Sequence, residues 1–135
     1  MLIPVDPGPA VVACSTCRHD RSARTDAEGV TGGARLVEAL DRVRAGDVRY
    51  TGIAVQAMPC LFACQDHCTV HLRAPDKLGY VLGRFAPDDE AARAILDYAI
   101  EYAASEHGRV AYALWPEGVK GHFITRTPPP GFIAE

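Results

Sequence analysis

Five cysteines carry the chemistry this chain could do, and they are grouped: Cys14-x2-Cys17, then a 42-residue gap, then Cys60-x3-Cys64-x3-Cys68. Two thiolates close together on a tightly turned backbone suit one tetrahedral metal atom, because metal–sulfur bonds of about 2.3 Å need the sulfurs side by side. Two such pairs supply four ligands, which satisfies either one zinc or a 2Fe–2S cluster in which each iron takes two cysteines. The three later cysteines cannot all act on one metal atom from a regular helix, since a rise of about 1.5 Å per residue would leave Cys60 and Cys68 about 12 Å apart. Either a loop gathers all three or one is not a ligand. In a reducing compartment clustered cysteines point to metal binding or thiol catalysis rather than disulfides.

The elements that must hold these groups follow from hydrophobic periodicity. Ala10 to Ala13 reads as a strand leading into Cys14, followed by a long polar loop to Gly33. Leu36, Val37, Leu40 and Val43 recur at helical spacing between Ala34 and Ala45, and Gly46 can end that helix. Ile53, Val55 and Ala57 alternate as a half-buried strand that Pro59 stops just before Cys60, so each cysteine group follows a strand. Thr69 to Arg73 and Gly79 to Phe85 read as a hairpin turned at Pro75-Asp76. Pro87 suits the first position of a last helix, with Asp88, Asp89 and Glu90 at its positive end and Gly108 closing it. Residues 109–135, with Trp115-Pro116 and Pro128-Pro129-Pro130, show no strong period and read as an irregular tail. The expected fold is α/β: a thioredoxin-like mixed four-stranded sheet flanked by helices, with a right-handed crossover between the first two strands.

Composition narrows the function classes. A length of 135 residues suits a single domain, 1–135. Hydrophobic residues at 48% and charged residues at 23% exclude disorder and fibrous architectures. The net charge of −3 gives no surplus of cations for phosphates, so no nucleic acid is expected. No run of about 18 apolar residues occurs, and the proline-punctuated amino terminus lacks an export signal; the expectation is a cytoplasmic protein with no membrane span.

Pro59-Cys60-Leu61-Phe62-Ala63-Cys64, with a short β-run and Lys77-Leu78-Gly79-Tyr80 after it, resembles the second half of thioredoxin-like 2Fe–2S ferredoxins, the family that includes the small cluster-bearing subunit of respiratory NADH dehydrogenase. With Cys14-x2-Cys17, Cys68 and Arg126-x-Pro128-Pro129 added, nearly the whole chain resembles the domain of unknown function 1636 family, described as predicted metal-binding proteins. The resemblance implies Cys60 and Cys64 on one iron and Cys14 and Cys17 on the other. The Cys14–Cys17 spacing is shorter than the first pair usual in these ferredoxins, and Cys68 is additional, so Cys68 stands as an alternative fourth ligand.

The resemblance further implies an electron carrier and not an enzyme, a redox partner protein, a homodimer, and a contextual link to cobalamin synthesis. The rival from another class is a structural zinc or metal-handling protein. Plainer roles stand beside these: Cys68 as a small buried hydrophobe, Arg18, Arg21 and Arg24 as loop charges rather than an offset for an anionic cluster, His19 and His67 as loop histidines rather than ligands, and Asp88, Asp89, Glu90, Asp97 and Glu101 as a wet helix face rather than a partner-steering surface. A thiol–disulfide catalyst would want its first cysteine at a helix amino terminus, and in sequence the long loop separates Cys14 from one.

Overall fold

A computed structural model describes residues 1–135. β1 (Ala10–Cys14) runs into the polar loop, α1 (Gly32–Ala45) crosses over, and β2 (Ala54–Met58) returns parallel to β1, with Cys14 opposite Met58. β3 (Val70–Arg73) lies antiparallel on the other side of β1, and β4 (Gly79–Leu82) completes the hairpin. α2 (Asp89–Ala104) follows. The hairpin turn is where the sequence places it, with Asp76 in the left-handed region at φ 61°.

The sheet has five strands, not four. The tail is irregular only in part: Phe123–Thr127 forms β5, antiparallel to β4, giving the order β2-β1-β3-β4-β5. The signal was local, a β-rich Phe-Ile-Thr-Arg-Thr run between Gly121 and Pro128, and its shortness hid it. The two helices flank the sheet on a single face. Leu36, Leu40 and Val43 of α1 and Ile95, Leu96, Ala99 and Tyr102 of α2 share one core with Val11, Ala13, Val70, Leu72 and Leu82, so both helices cover the same sheet face. Alternation along the strands leaves the row Val12, His71, Val81 and Thr125 on the other.

Caps explain the helix ends. Thr31 accepts from the Ala34 N–H and starts α1 at Gly32, two residues before the periodicity suggests, because glycines carry no hydrophobic signal. Gly46 ends it as expected. Asp88 caps α2, accepting from the Ala91 N–H, so Pro87 lies before the helix rather than at its first position, and α2 stops at Ala104, short of Gly108. The acidic side chains of α2 are more engaged than a wet face would be: Asp89 pairs with Arg42 of α1, and Asp97 accepts from the Tyr50 hydroxyl at 2.5 Å. No helix is long and apolar enough to cross a membrane.

The tail is held by aromatic packing. Phe123 meets Tyr80 and Tyr98 edge-on, with ring centroids 5.5 and 5.4 Å away, and lies 4.6 Å from Trp115. Phe123→Ala is therefore expected to destabilise the fold by about 2 kcal/mol, less than a fully buried Phe because the ring is half exposed, with no change in secondary structure content. Urea unfolding measures this; an unchanged midpoint would mean that β5 is not part of the cooperative unit.

Candidate metal centre

Because β1 and β2 are parallel, the loops that leave their carboxyl ends emerge at the same edge of the sheet. Ser15 N–H donates to the Met58 carbonyl at 2.9 Å, the Thr16 hydroxyl donates to the Pro59 carbonyl, and Cys14 Sγ lies 3.8 Å from that same oxygen. On the other side of β1, Cys14 N–H donates to the Thr69 carbonyl at 3.0 Å, and Cys17 Sγ lies 3.2 Å from the Thr69 hydroxyl. The segments holding Cys14, Cys17, Cys60 and Cys68 are thus tied together by strand pairing and its extensions.

The loop between Cys17 and α1 is long but built. Asp20 Oδ1 accepts from the Ser22 and Ala23 N–H groups, and Asp26 Oδ1 accepts from those of Glu28 and Val30, so each aspartate closes a turn. Arg35 of α1 grips the second turn through Asp26 at 2.7 Å and Glu28 at 3.0 Å. The Thr31 hydroxyl donates to the Ser15 carbonyl, and Gly33 N–H donates to the Cys17 carbonyl at 3.0 Å.

In space the loop folds back, so the amino terminus of α1 abuts the first cysteine pair although fourteen residues of sequence lie between Cys17 and α1. A Cβ on Gly33 would collide with the Cys14 carbonyl oxygen and come within 2.8 Å of Cys17 N. The Gly32-Gly33 pair was the signal for this close approach, and sequence spacing alone did not expose it. No acidic residue occupies the first turn of α1, and its leading N–H groups are taken by the Cys17 carbonyl and the Thr31 hydroxyl.

The second pair is self-contained. Cys60 Sγ and Cys64 Sγ stand 3.8 Å apart, and the Phe62 N–H donates to Cys60 Sγ at 3.2 Å. Tetrahedral bonds of about 2.3 Å set an edge of about 3.8 Å between neighbouring sulfurs, so this pair already has the bite a metal atom requires. Phe62 takes φ 63°, a strained value for a β-carbon residue, and its ring is 96% exposed.

Environment separates the five thiols, none of which is in a disulfide. Burial opposes ionisation of Cys14, yet hydrogen bonds from Cys17, Thr16 and the Leu61 backbone outweigh it and lower its pKa. Burial raises that of Cys17 in spite of the Thr69 hydroxyl. Cys64 is raised first by its bond with Cys60, and Arg24 acts in the opposite direction. Cys68 lies wholly inside, in the core cluster, where burial pushes its thiol up to about 12 and its Sγ approaches the Arg18 carbonyl at 3.4 Å.

The four cysteines stand as two pairs rather than one closed quartet: no three His, Cys, Asp or Glu side chains gather around a point that could hold a single ion. Soft sulfur donors in near pairs, Cys14 with Cys17 and Cys60 with Cys64, are suited to binding a thiophilic metal. Of the histidines beside the cysteines, His67 is half-buried with its pKa lowered by burial, and His19 keeps a buried, unpartnered Nδ1.

The chain belongs to the family described as protein of unknown function (DUF1636), whose profile matches residues 11–129, a span that takes in all five cysteines and β5. Its cysteine pairs fit a metal-binding role. No curated protein matches the chain, and no solved structure does.

Two predictions concern the packing around the first pair. Gly33→Ala should cost about 3 kcal/mol, because the added methyl meets backbone on both sides and only a shift of the cysteine loop or of α1 relieves it; chemical denaturation reads the loss, and a neutral result would refute the close approach. The second is a pH dependence. Arg35 and the turn N–H groups hold the Asp26 carboxyl at about 2, below its ordinary 3.8. A depressed carboxylate contributes stability that is fully present above about pH 4 and is lost as pH falls through about 2. Asp26→Asn should therefore melt below wild type at neutral pH and converge with it near pH 2; melting curves that stay parallel across this range would contradict the assignment.

Proposed function

We propose that this member of the family is a small 2Fe–2S electron carrier whose cluster is held by Cys14, Cys17, Cys60 and Cys64. The observation that carries this reading is the pairing: two thiol pairs, one with a tetrahedral bite of 3.8 Å, on loops that leave neighbouring parallel strands at one edge. A single zinc wants four donors around one point, whereas a two-iron centre wants two and two. When bound, the cluster supplies one-electron redox chemistry at thiolate-held iron.

The chain's own residues do the rest. Thr16, Thr69 and the first turn of α1 fix the first pair, and the Phe62 N–H and the turn it belongs to fix the second. Cys64 is exposed and Cys60 partly so, which leaves an exit for an electron, while Cys14 and Cys17 are buried. Arg24 lies close enough to Cys64 to favour its ionised form and offset anionic charge. Cys68 serves as a core side chain. No substrate is transformed; the partner is another redox protein in the cytoplasm, with a homodimer and an electron-donating place in cobalamin synthesis as the expected context. A thioredoxin-like ferredoxin fold is supported by the order β2-β1-β3-β4 with both helices on one face, β5 being an addition at the edge.

Anaerobically purified protein should be brown, contain about two irons and two acid-labile sulfides per chain and bleach on reduction. Cys60→Ala and Cys64→Ala should each abolish the colour, and Cys14→Ala or Cys17→Ala should abolish or destabilise it. Cys68→Ala should keep the spectrum at a cost of about 1 kcal/mol of fold stability. Colourless protein with one zinc and no sulfide would sink the reading, and loss of iron in Cys68→Ala with retention in Cys14→Ala or Cys17→Ala would move the fourth ligand to Cys68.

A further inference from the structure

Thr69 is fully buried, and its hydroxyl has a single partner, Cys17 Sγ at 3.2 Å. Its carbonyl meanwhile accepts the Cys14 N–H at 3.0 Å, so one residue clasps both ends of the first cysteine pair. The side chain has little freedom to turn away: a Cβ on Gly83 would lie 2.9 Å from the Thr69 methyl, which shows how closely that methyl is seated on the neighbouring strand end. A buried hydroxyl needs a partner, and a metal-bound thiolate is an acceptor only, so in the loaded protein the hydroxyl must donate.

We propose that Thr69 is a positioning residue for the centre, its hydroxyl donating to the Cys17 sulfur and thereby raising the reduction potential. This rests on the function proposed above. Reduction adds one electron and moves no proton from Thr69; the added charge spreads onto the ligand sulfurs, so an O–H aimed at one of them favours the reduced state over the oxidised one. Its place beyond the carboxyl end of no cysteine-bearing strand, immediately before β3, is why the cysteine pattern does not point to it.

Thr69→Val keeps the shape and the methyl group and removes only the donor; Thr69→Ser keeps the donor. In a spectroscopically followed redox titration, Thr69→Val should lower the ratio of reduced to oxidised centre at fixed ambient potential about tenfold, a shift of about 59 mV for a one-electron couple, and Thr69→Ser should stay within about twofold of wild type. A loaded Thr69→Val protein at the wild-type potential overturns the proposal. Should that variant fold without retaining iron, Thr69→Ala replaces it: loading by Thr69→Ser alone supports the hydrogen bond, whereas failure of all three shows that position 69 acts through packing and counts against it. Wild-type protein without an iron–sulfur centre is a different result, since it removes the function reading itself.

Discussion

Everything at the candidate centre depends on the parallel pairing of β1 with β2 in the register that sets Cys14 opposite Met58. Parallel strands point their carboxyl ends the same way, so the turns that follow them must share an edge of the sheet, and a register slip would separate the two cysteine groups by strand rise. The register is fixed from the core side. Val11 and Ala13 point into the cluster beneath the two helices, and a shift of one residue would turn them outward. The hydrophobic core therefore positions the thiols without touching most of them.

The crossover helix is the second constraint. α1 must return the chain over the sheet to start β2, and its first turn lands on the loop that carries Cys14 and Cys17. Two consecutive glycines make that landing close enough for backbone to meet backbone. The contacts to sulfur come from other groups: the Thr69 hydroxyl lies against Cys17, the Phe62 N–H donates to Cys60, and Arg24 adds a positive charge near Cys64. Of the thiols in these pairs Cys14 is eased toward its thiolate, while burial holds Cys17 up and the Cys60 contact holds Cys64 up, so a bound metal must itself favour the ionised form of those two.

How much of this is legible in the sequence depends on whether the signal is local. The strand–cysteine succession at Ala10–Cys14 and before Cys60 is local, and so are the helix around Leu36 and Leu40, the Pro75-Asp76 turn and the grouping of the thiols. The structure places these strands, the helix and the turn as expected, and Cys68 is buried in the core cluster. What escaped reading is mostly settled by non-local partners, even where, as in the short Phe123–Thr127 run, a weak local signal exists. β5 becomes a strand because β4 offers it an edge, the two helices share a face because α1 and α2 bury their stripes against the same strands, and Asp89 and Asp97 find partners on elements distant in sequence. The approach of α1 to the first pair is of the same kind. The fourteen residues between Cys17 and α1 suggest separation along the chain, but two aspartate-closed turns and the Arg35 grip fold the loop back on itself.

Iron K-edge X-ray absorption on the anaerobically purified protein tests the central claim most directly, because it reads the ligands and the neighbouring metal together. Four thiolates from two loops meeting on one binuclear centre predict an all-sulfur first shell and a single iron scatterer beyond it, with the iron signal lost when either Cys60 or Cys64 is replaced. Nitrogen or oxygen ligands at iron, a lone iron with no metal neighbour, or an absorption edge from zinc alone would contradict it.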